Sequence, residues 1–163
     1  MPLSIFMRMI ETDDRDLQIL DELQRDGSLT NAELAERVNL SPSACLRRVN
    51  LLRNSGIVEG TRLLLDQANA GFEGTAYVFI ALKAQDRRTL NTFEAAMTKV
   101  SHVQECYLLA GSSDYLLRVV FRDMRDLERL HSEVITRLPG VERVQSTLTL
   151  RTVKRTTRLP IRG

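Results

Sequence analysis

The sequence predicts an α+β protein with two domains, a helical N-terminal domain and a C-terminal domain of four strands and two helices. Apolar residues recur at helical spacing in three segments before residue 55, whereas the later segments include runs rich in Val, Ile, Tyr and Phe. A short polar segment at residues 66–71 separates the two patterns. We therefore expect domains at residues 1–66 and 75–163, joined by a linker at residues 67–74.

The composition is that of an ordinary globular protein, with 43% apolar residues and a formal net charge of +2. Aromatic residues make up only 5% of the chain, which argues against a surface built for stacking on bases. Cys45 and Cys106 lie far apart without a CxxC spacing, so we expect a reducing, cytoplasmic environment. The N-terminal apolar run is too short for a signal peptide or a membrane span, and Met1, Met7 and Met9 each fit a translation start.

The first predicted helix covers residues 13–26. Leu17, Leu20 and Leu23 recur every three residues and define its apolar side, with Ile19 on the flank. The acidic residues at its start favour the positive end of the helix dipole, and the following glycine ends it.

Two short helices joined by a tight turn are predicted next. Thr30 and Glu33 have the spacing of a capping box, in which each side chain binds a free backbone amide at the helix start. Asn39 stands where the chain must adopt a left-handed conformation, and Ser41 and Pro42 begin the following helix as its N-cap and first residue. This order predicts a helix-turn-helix motif.

The second helix of this motif has an apolar and a polar side. The apolar side carries Cys45, Leu46, Val49 and Leu52. The polar side carries Ser43, Arg47, Asn50 and Asn54 at positions i, i+4, i+7 and i+11. Such a helix is suited to enter the major groove of DNA.

Two short segments rich in apolar residues follow at 57–58 (IV) and 62–65 (RLLL), separated by a polar turn. They predict a two-stranded wing, which completes a winged helix-turn-helix domain.

Charge is distributed unevenly. Residues 1–66 hold eight arginines and eleven acidic residues, yet residues 41–62 hold four arginines and one acidic residue. The C-terminal segment 151–163 holds five basic residues and no acidic one, and we consider three roles for it: DNA contact, packing on the second domain, or a solvated tail. A local basic patch on a near-neutral protein fits specific docking better than indiscriminate phosphate binding.

The second domain is predicted to be a ferredoxin-like βαββαβ sandwich. Strands are expected at 75–84, 103–110, 115–121 and 141–153, and helices at 87–100 and 124–138. The repeated strand-helix-strand order places both helices on one face of an antiparallel sheet. Because no further segment remains to cover the other face, and because residues 77–82 are strongly apolar, we expect that face to pack on a second copy.

Several segments match a known family in order and content. They are DLQIL at 16–20, LSPSACLRRV at 40–49, LRNSGI at 52–57, ECYL at 105–108, GSSDYL at 111–116 and LPGV at 138–141. With these residues the chain resembles the Lrp/AsnC (feast/famine) family of transcription regulators. The resemblance implies an effector-binding and oligomerisation domain at the C-terminus, dimers that associate into tetramers or octamers, and an amino acid as effector. It also implies a location at the nucleoid.

The candidate DNA-binding residues lie on the second helix of the motif. We expect Ser43, Ala44 and Arg47 to contact bases, and Ser41, Arg48 and Arg53 to contact the DNA backbone. Serines at a helix start donate to phosphates or base edges, and an arginine paired with guanine O6 and N7 contributes roughly 1–3 kcal/mol of discrimination. The alternative is that these arginines form a solvated helix face. With two such helices in a dimer, we expect a pseudo-palindromic operator.

The candidate effector site is the hairpin loop between the second and third predicted strands. Its residues are Leu109, Ala110, Gly111, Ser112 and Asp114, and the resemblance places Ser146, Thr147 and Thr149 of the last strand opposite. An amino acid needs an acceptor for its ammonium group and donors for its carboxylate, and hydroxyls with a carboxylate supply both. Glycine in the loop permits close approach of a ligand. The alternative is a plain turn in which Asp114 caps its own backbone.

Other chemistry has no support in the sequence. His102 and His131 are isolated from each other and from the cysteines, so no metal site is expected. No catalytic or nucleotide-binding pattern is present, so we expect no enzyme activity and no cofactor besides the effector. Two alternative functions remain: a non-specific architectural DNA-binding protein, and a metabolite-binding module that does not bind DNA.

Overall fold

The computed structural model describes residues 12–161 and divides the chain into two compact units. The first unit contains Met1–Leu64 and Lys154–Gly163, and the second contains Leu65–Val153. This division differs from the expected one at the C-terminus, because the last ten residues belong with the helical unit. No helix among the described residues is long and apolar enough to cross a membrane.

The first unit contains the three helices that the sequence predicts. They are α1 (Asp14–Arg25), α2 (Asn31–Arg37) and α3 (Pro42–Asn54). The capping box of α2 is present, since the Thr30 N–H donates to the Glu33 Oε2 at 2.8 Å and the Thr30 Oγ1 accepts from the Glu33 N–H. Asn39 has a φ of 53°, in the left-handed region that ends α2 and directs the chain into α3. The predicted helix-turn-helix is confirmed.

The core of the first unit is formed where the three helices meet. Its buried apolar residues are Ile19, Leu20, Leu34, Ala35, Val38, Cys45, Val49 and Leu52. Ile19 is fully buried, although its spacing placed it on the flank of α1. Leu46 was expected on the apolar side of α3, but it is 49% exposed and lies outside the core cluster that contains Cys45, Val49 and Leu52.

The predicted wing is wrong as a pair of strands, because residues 57–65 have no strand structure. Leu63, Leu64 and Leu65 are 86%, 77% and 68% exposed. A lone two-stranded hairpin is marginally stable in water unless its side chains pack on something. Since the described residues leave these leucines exposed, their burial does not offset the cost of ordering a wing.

The second unit is a four-stranded antiparallel sheet with helices on one face. Its elements are β1 (Gly74–Leu82), α4 (Arg87–Met97), β2 (Val103–Leu108), β3 (Tyr115–Phe121), α5 (Met124–Arg129) and β4 (Val141–Leu148). A π-helical turn (Leu130–Val134) and a 3₁₀ turn (Ile135–Arg137) continue α5. The strand order β2-β3-β1-β4 is that of the predicted ferredoxin-like sandwich, which is confirmed.

Alternation along β1 and β3 separates the two faces of the sheet. Ala76, Val78, Ile80 and Leu82 of β1 are buried together with Tyr115, Leu117, Val119 and Phe121 of β3, and α4 and the α5 segment cover them. The other face, which we call the open face, carries Tyr77 and Phe79 from β1 and Leu116 from β3. Tyr77 is 40% exposed there, so the described residues of the second unit leave this side chain open to solvent.

Candidate functional site

The start of α3 is an exposed, well-capped helix terminus. The Ser41 Oγ accepts from the Ala44 N–H at 3.3 Å and lies 3.3 Å from the Ser43 Oγ. The Asn31 side chain donates to the Pro42 carbonyl at 2.8 Å and ties this terminus to α2. A helix N-terminus of this kind presents backbone N–H groups and a partial positive charge to solvent, which suits a phosphate.

The solvent-facing side of α3 carries most of the predicted DNA contacts. Ser43, Arg47 and Arg53 are exposed, and Ala44 is half-buried beside them. Within residues 12–161 the guanidinium groups of Arg47 and Arg53 have no hydrogen bond or ion pair to another side chain, so both are available to a partner. The structure therefore brings the base-contact candidates onto one accessible surface.

Arg48 has a different environment from Arg47. Its Nη1 lies 2.8 Å from the Asp13 Oδ2 and 2.8 Å from the Asp16 Oδ1, and its side chain is 23% exposed. The Asp16 backbone N–H and then the Arg48 guanidinium lower the pKa of the Asp13 carboxyl. Arg48 therefore fastens α3 to the start of α1, and this geometry does not support the phosphate contact expected of it.

In the loop between β2 and β3, the carboxylate of Asp114 is already engaged. Asp114 is 7% exposed, its Oδ2 accepts from the Leu82 N–H at 2.7 Å, and its Oδ1 accepts from the Gln85 Nε2 at 2.6 Å. Asp114 therefore caps the end of β1 rather than its own backbone. Its carboxylate oxygens are both occupied, so they are not free to accept from the ammonium group of an amino acid. Asp114 thus fixes the loop on the sheet.

The remaining loop residues differ in accessibility. Leu109 is half-buried, whereas Ala110, Gly111 and Ser112 are exposed. A Cβ built on Gly111 would meet nothing within 4 Å, so the space beside this glycine is open. The loop therefore offers a hydroxyl and accessible backbone groups to a ligand or to another chain.

The polar residues of β4 do not meet this loop within one chain. Ser146 lies on the helix side, where its Oγ is 2.9 Å from the His131 Nδ1, and Thr147 pairs with Tyr77 on the open face. The Thr149 N–H donates to the Thr75 carbonyl near the start of β1. Asp114 caps Leu82 at the other end of β1, four to seven residues along that strand from the partners of Ser146, Thr147 and Thr149. The two groups are therefore separated by roughly 13–24 Å of strand. The two predicted halves of the effector site stay apart.

The open face carries a polar cluster that the sequence pattern did not reveal. The Arg118 Nε lies 2.7 Å from the Glu105 Oε1, and the Tyr107 hydroxyl donates to the Glu105 Oε2 at 3.1 Å. This carboxylate raises the pKa of Tyr107. The register between β2 and β3 brings these three side chains together. Only a correct prediction of that strand pairing could have identified the cluster from the sequence.

The cysteines and histidines add no further site. Cys45 is fully buried, and burial raises the pKa of its thiol, which makes it a core residue. Cys106 of β2 is an exposed residue, but partial burial of its thiol and then the Glu94 carboxylate raise its pKa. Among residues 12–161, no group of three or more His, Cys, Asp or Glu could hold a metal ion.

Two family models match the chain. A winged helix-turn-helix DNA-binding model matches residues 12–59, and the model of the Lrp/AsnC ligand binding domain matches residues 75–159. The first match covers the three helices of the first unit, and the second covers the sheet and its helices.

Relatives with assigned names match over nearly the whole length. Transcriptional regulator AzlB of Bacillus subtilis is 36% identical over 152 residues, which cover 93% of this chain and 97% of the relative. The leucine-responsive regulatory protein of Rhizobium meliloti is 38% identical over 145 residues, which cover 89% of this chain and 93% of the relative.

Solved structures give the same result. A transcriptional regulator from Neisseria meningitidis, crystallised as a complex with L-Met, is 36% identical with a TM-score of 0.88, over 92% of this chain and 97% of the other. An AsnC family regulator from Agrobacterium tumefaciens is 31% identical with a TM-score of 0.87 over the same shares. The chain therefore belongs to the Lrp/AsnC family of DNA-binding transcriptional regulators that carry a ligand-binding domain.

Proposed function

We propose that α3 reads a pseudo-palindromic operator from the major groove, with Ser43, Ala44 and Arg47 at base edges and Ser41 and Arg53 on phosphates. The observation that carries this proposal is the exposed, unpaired guanidinium of Arg47 beside the capped start of α3. An arginine in this position can donate two hydrogen bonds to guanine O6 and N7. Arg48 is not among the proposed DNA contacts, because its guanidinium is paired with Asp13 and Asp16.

The test is a gel shift with an operator selected from random duplexes, alongside a random duplex of equal length. We expect Arg47→Ala to lower the preference for the operator roughly 5- to 150-fold, which corresponds to 1–3 kcal/mol of discrimination. Arg53→Ala is the matched control, since loss of a phosphate contact weakens both duplexes by the same factor. An unchanged preference in Arg47→Ala would remove Arg47 from base recognition.

We infer that a second copy covers the open face. Tyr77 and Phe79 lie on this face of β1, and Tyr107, which is 53% exposed, extends it to β2. Large apolar side chains grouped on one side of a sheet favour burial against a partner. A symmetric dimer would place two α3 helices on half-sites about one helical turn apart, and dimers would associate further into tetramers or octamers. Cytoplasmic assembly at the nucleoid accords with this function.

We infer that the effector is an amino acid bound between dimers. The support is threefold: the Gly111 surface is open, β4 lies far from it within one chain, and the Neisseria relative was crystallised with L-Met. In such a site Gly111, Ser112, Leu109 and Ala110 would come from one dimer, and the polar residues Ser146, Thr147 and Thr149 from a neighbour. Asp114 would shape the loop, because its carboxylate is engaged. A ligand at this junction would change assembly and operator affinity together, by linkage.

A further inference from the structure

The C-terminal tail is docked on the DNA-binding unit. The Arg158 Nη2 lies 2.6 Å and its Nε 3.0 Å from the Asp21 Oδ1 of α1. The Gln24 side chain binds both main-chain groups of Leu159: its Oε1 accepts from the N–H at 2.6 Å, and its Nε2 donates to the carbonyl at 3.2 Å. Ile161 packs against the core of the first unit. These contacts argue against a solvated tail.

Docking of the tail reverses the net charge of the unit. Residues 1–64 hold eight arginines and ten acidic residues, which gives a net charge of −2. Residues 154–163 hold Lys154, Arg155, Arg158 and Arg162 with no acidic residue, which brings the unit to +2. Without its tail, the unit that binds DNA would be net negative, and its field would oppose approach to a polyanion.

The tail cations differ in their availability. Arg158 forms an ion pair with Asp21, whose carboxylate also pairs with Arg25. Lys154 and Arg155 are exposed, and neither forms a hydrogen bond or ion pair with its side chain within residues 12–161. Most arginines of the helical segment are already paired or hydrogen-bonded, namely Arg15, Arg25, Arg37 and Arg48. Lys154 and Arg155 therefore add two free cations to Arg47, Arg53 and Arg62.

The chain length keeps these cations beside the first unit. Arg155 precedes the Arg158 anchor by three residues and Lys154 by four, so their Cα atoms stay within about 10–14 Å of it. An alternative role for the basic residues of the tail is to neutralise the carboxylates of α1. Among the described tail residues, only Arg158 forms an ion pair of this kind, with Asp21.

We propose that the docked tail is a second DNA-binding element, in which Lys154 and Arg155 neutralise backbone phosphates while α3 reads the sequence. This inference rests on the docking of α3 proposed above. Each phosphate neutralised releases counterions, so each contact adds about 0.9 to the slope of log K against log salt. The tail would supply affinity that is independent of sequence and sensitive to salt.

The test uses the full-length double variant Lys154→Gln/Arg155→Gln, titrated with the selected operator and a random duplex across a salt series. We expect weaker binding to both duplexes by the same factor, a salt slope smaller by about 1.8, and an unchanged operator preference. The double variant Arg87→Gln/Arg88→Gln is the matched control, since it removes two exposed neighbouring cations from α4 of the second unit. It should keep the wild-type slope.

The proposal is overturned if the tail variant keeps the wild-type salt slope. It is also overturned if the salt slope of the α4 variant falls by as much as that of the tail variant. The two proposals fail separately. If Arg47→Ala keeps the operator preference while the tail variant loses slope, the assignment of α3 is wrong and the tail assignment stands. If the preference falls in Arg47→Ala but the tail slope is unchanged, the tail is only an intramolecular strap.

Discussion

The guanidinium of Arg48 lies 2.8 Å from the carboxylate of Asp16 and joins the middle of α3 to the first turn of α1. The preceding residue, Arg47, is exposed to solvent. Neighbouring arginines thus have separate tasks, since one positions the helix and the other is free to bind.

The first prediction follows from this difference. Arg48→Ala should lower the melting temperature, because Asp16, with a side chain 17% exposed, loses its cationic partner. Its operator preference should persist, since Cys45, Val49 and Leu52 still hold α3 in the core. Arg47→Ala should behave in the opposite way, with the wild-type melting temperature and a reduced preference. Differential scanning calorimetry and gel shifts on the same two variants check this; equal melting temperatures would contradict it.

The second prediction concerns Asp114, whose two carboxylate oxygens hold the end of β1. In Asp114→Asn one of these acceptors becomes an N–H₂ group that faces a donor. We expect the free energy of unfolding to fall by about 2–3 kcal/mol, the usual cost of a lost buried bond to a charged group. Urea denaturation measures it. Ser112→Ala, an exposed change in the same loop, should cost less than about 0.5 kcal/mol. A similar small cost for Asp114→Asn would show that its carboxylate is dispensable.

The third prediction is a loss of stability in acid. Hydrogen bonds from Thr30 and Thr89 lower the pKa of the Glu33 and Asp86 carboxyls, which cap α2 and α4. A carboxyl with a lowered folded-state pKa stabilises the protein fully above its unfolded pKa of about 4, and this contribution is lost as the pH falls through the folded value. The urea midpoint should therefore be constant from neutral pH to about 5 and fall below about 4. Asp86→Asn should flatten that decline, and an identical decline would exclude Asp86 as a contributor.

Sequence patterns were sufficient where the signal is local. The pairs Thr30–Glu33 and Ser41–Ala44 lie three residues apart, and the left-handed Asn39 follows from its own side chain. Patterns failed where the partner is distant: Arg48 meets Asp16 across 32 residues, and Arg158 meets Asp21 across 137. The wing prediction failed for a related reason, since a short apolar run does not reveal whether a partner strand lies beside it.

The fourth prediction tests the effector loop at Gly111. Gly111→Val should leave the free energy of unfolding within about 0.5 kcal/mol of wild type, because the new Cβ has open space. The added side chain would occupy that space, so an amino acid that raises the melting temperature of wild type should lose this effect. A thermal-shift panel that includes Met and Leu checks it, with Ser101→Val, an exposed turn position ahead of β2, as the control. A ligand shift that survives Gly111→Val would place the effector elsewhere.

The fifth prediction tests the open face at Tyr77. Tyr77→Asp should weaken the dimer at least tenfold, or by about 1.4 kcal/mol, because association would bury an unpaired carboxylate. The monomer should still fold, since Tyr77 points away from the helices and lies outside the core cluster. Sedimentation velocity measures association, and circular dichroism reports the fold. Met124→Asp is the matched control, because this residue is 59% exposed at the start of α5 on the helix side of the sheet. If Tyr77→Asp keeps the wild-type association while folded, the dimer forms through another surface, and the spacing of the two α3 helices must be set there.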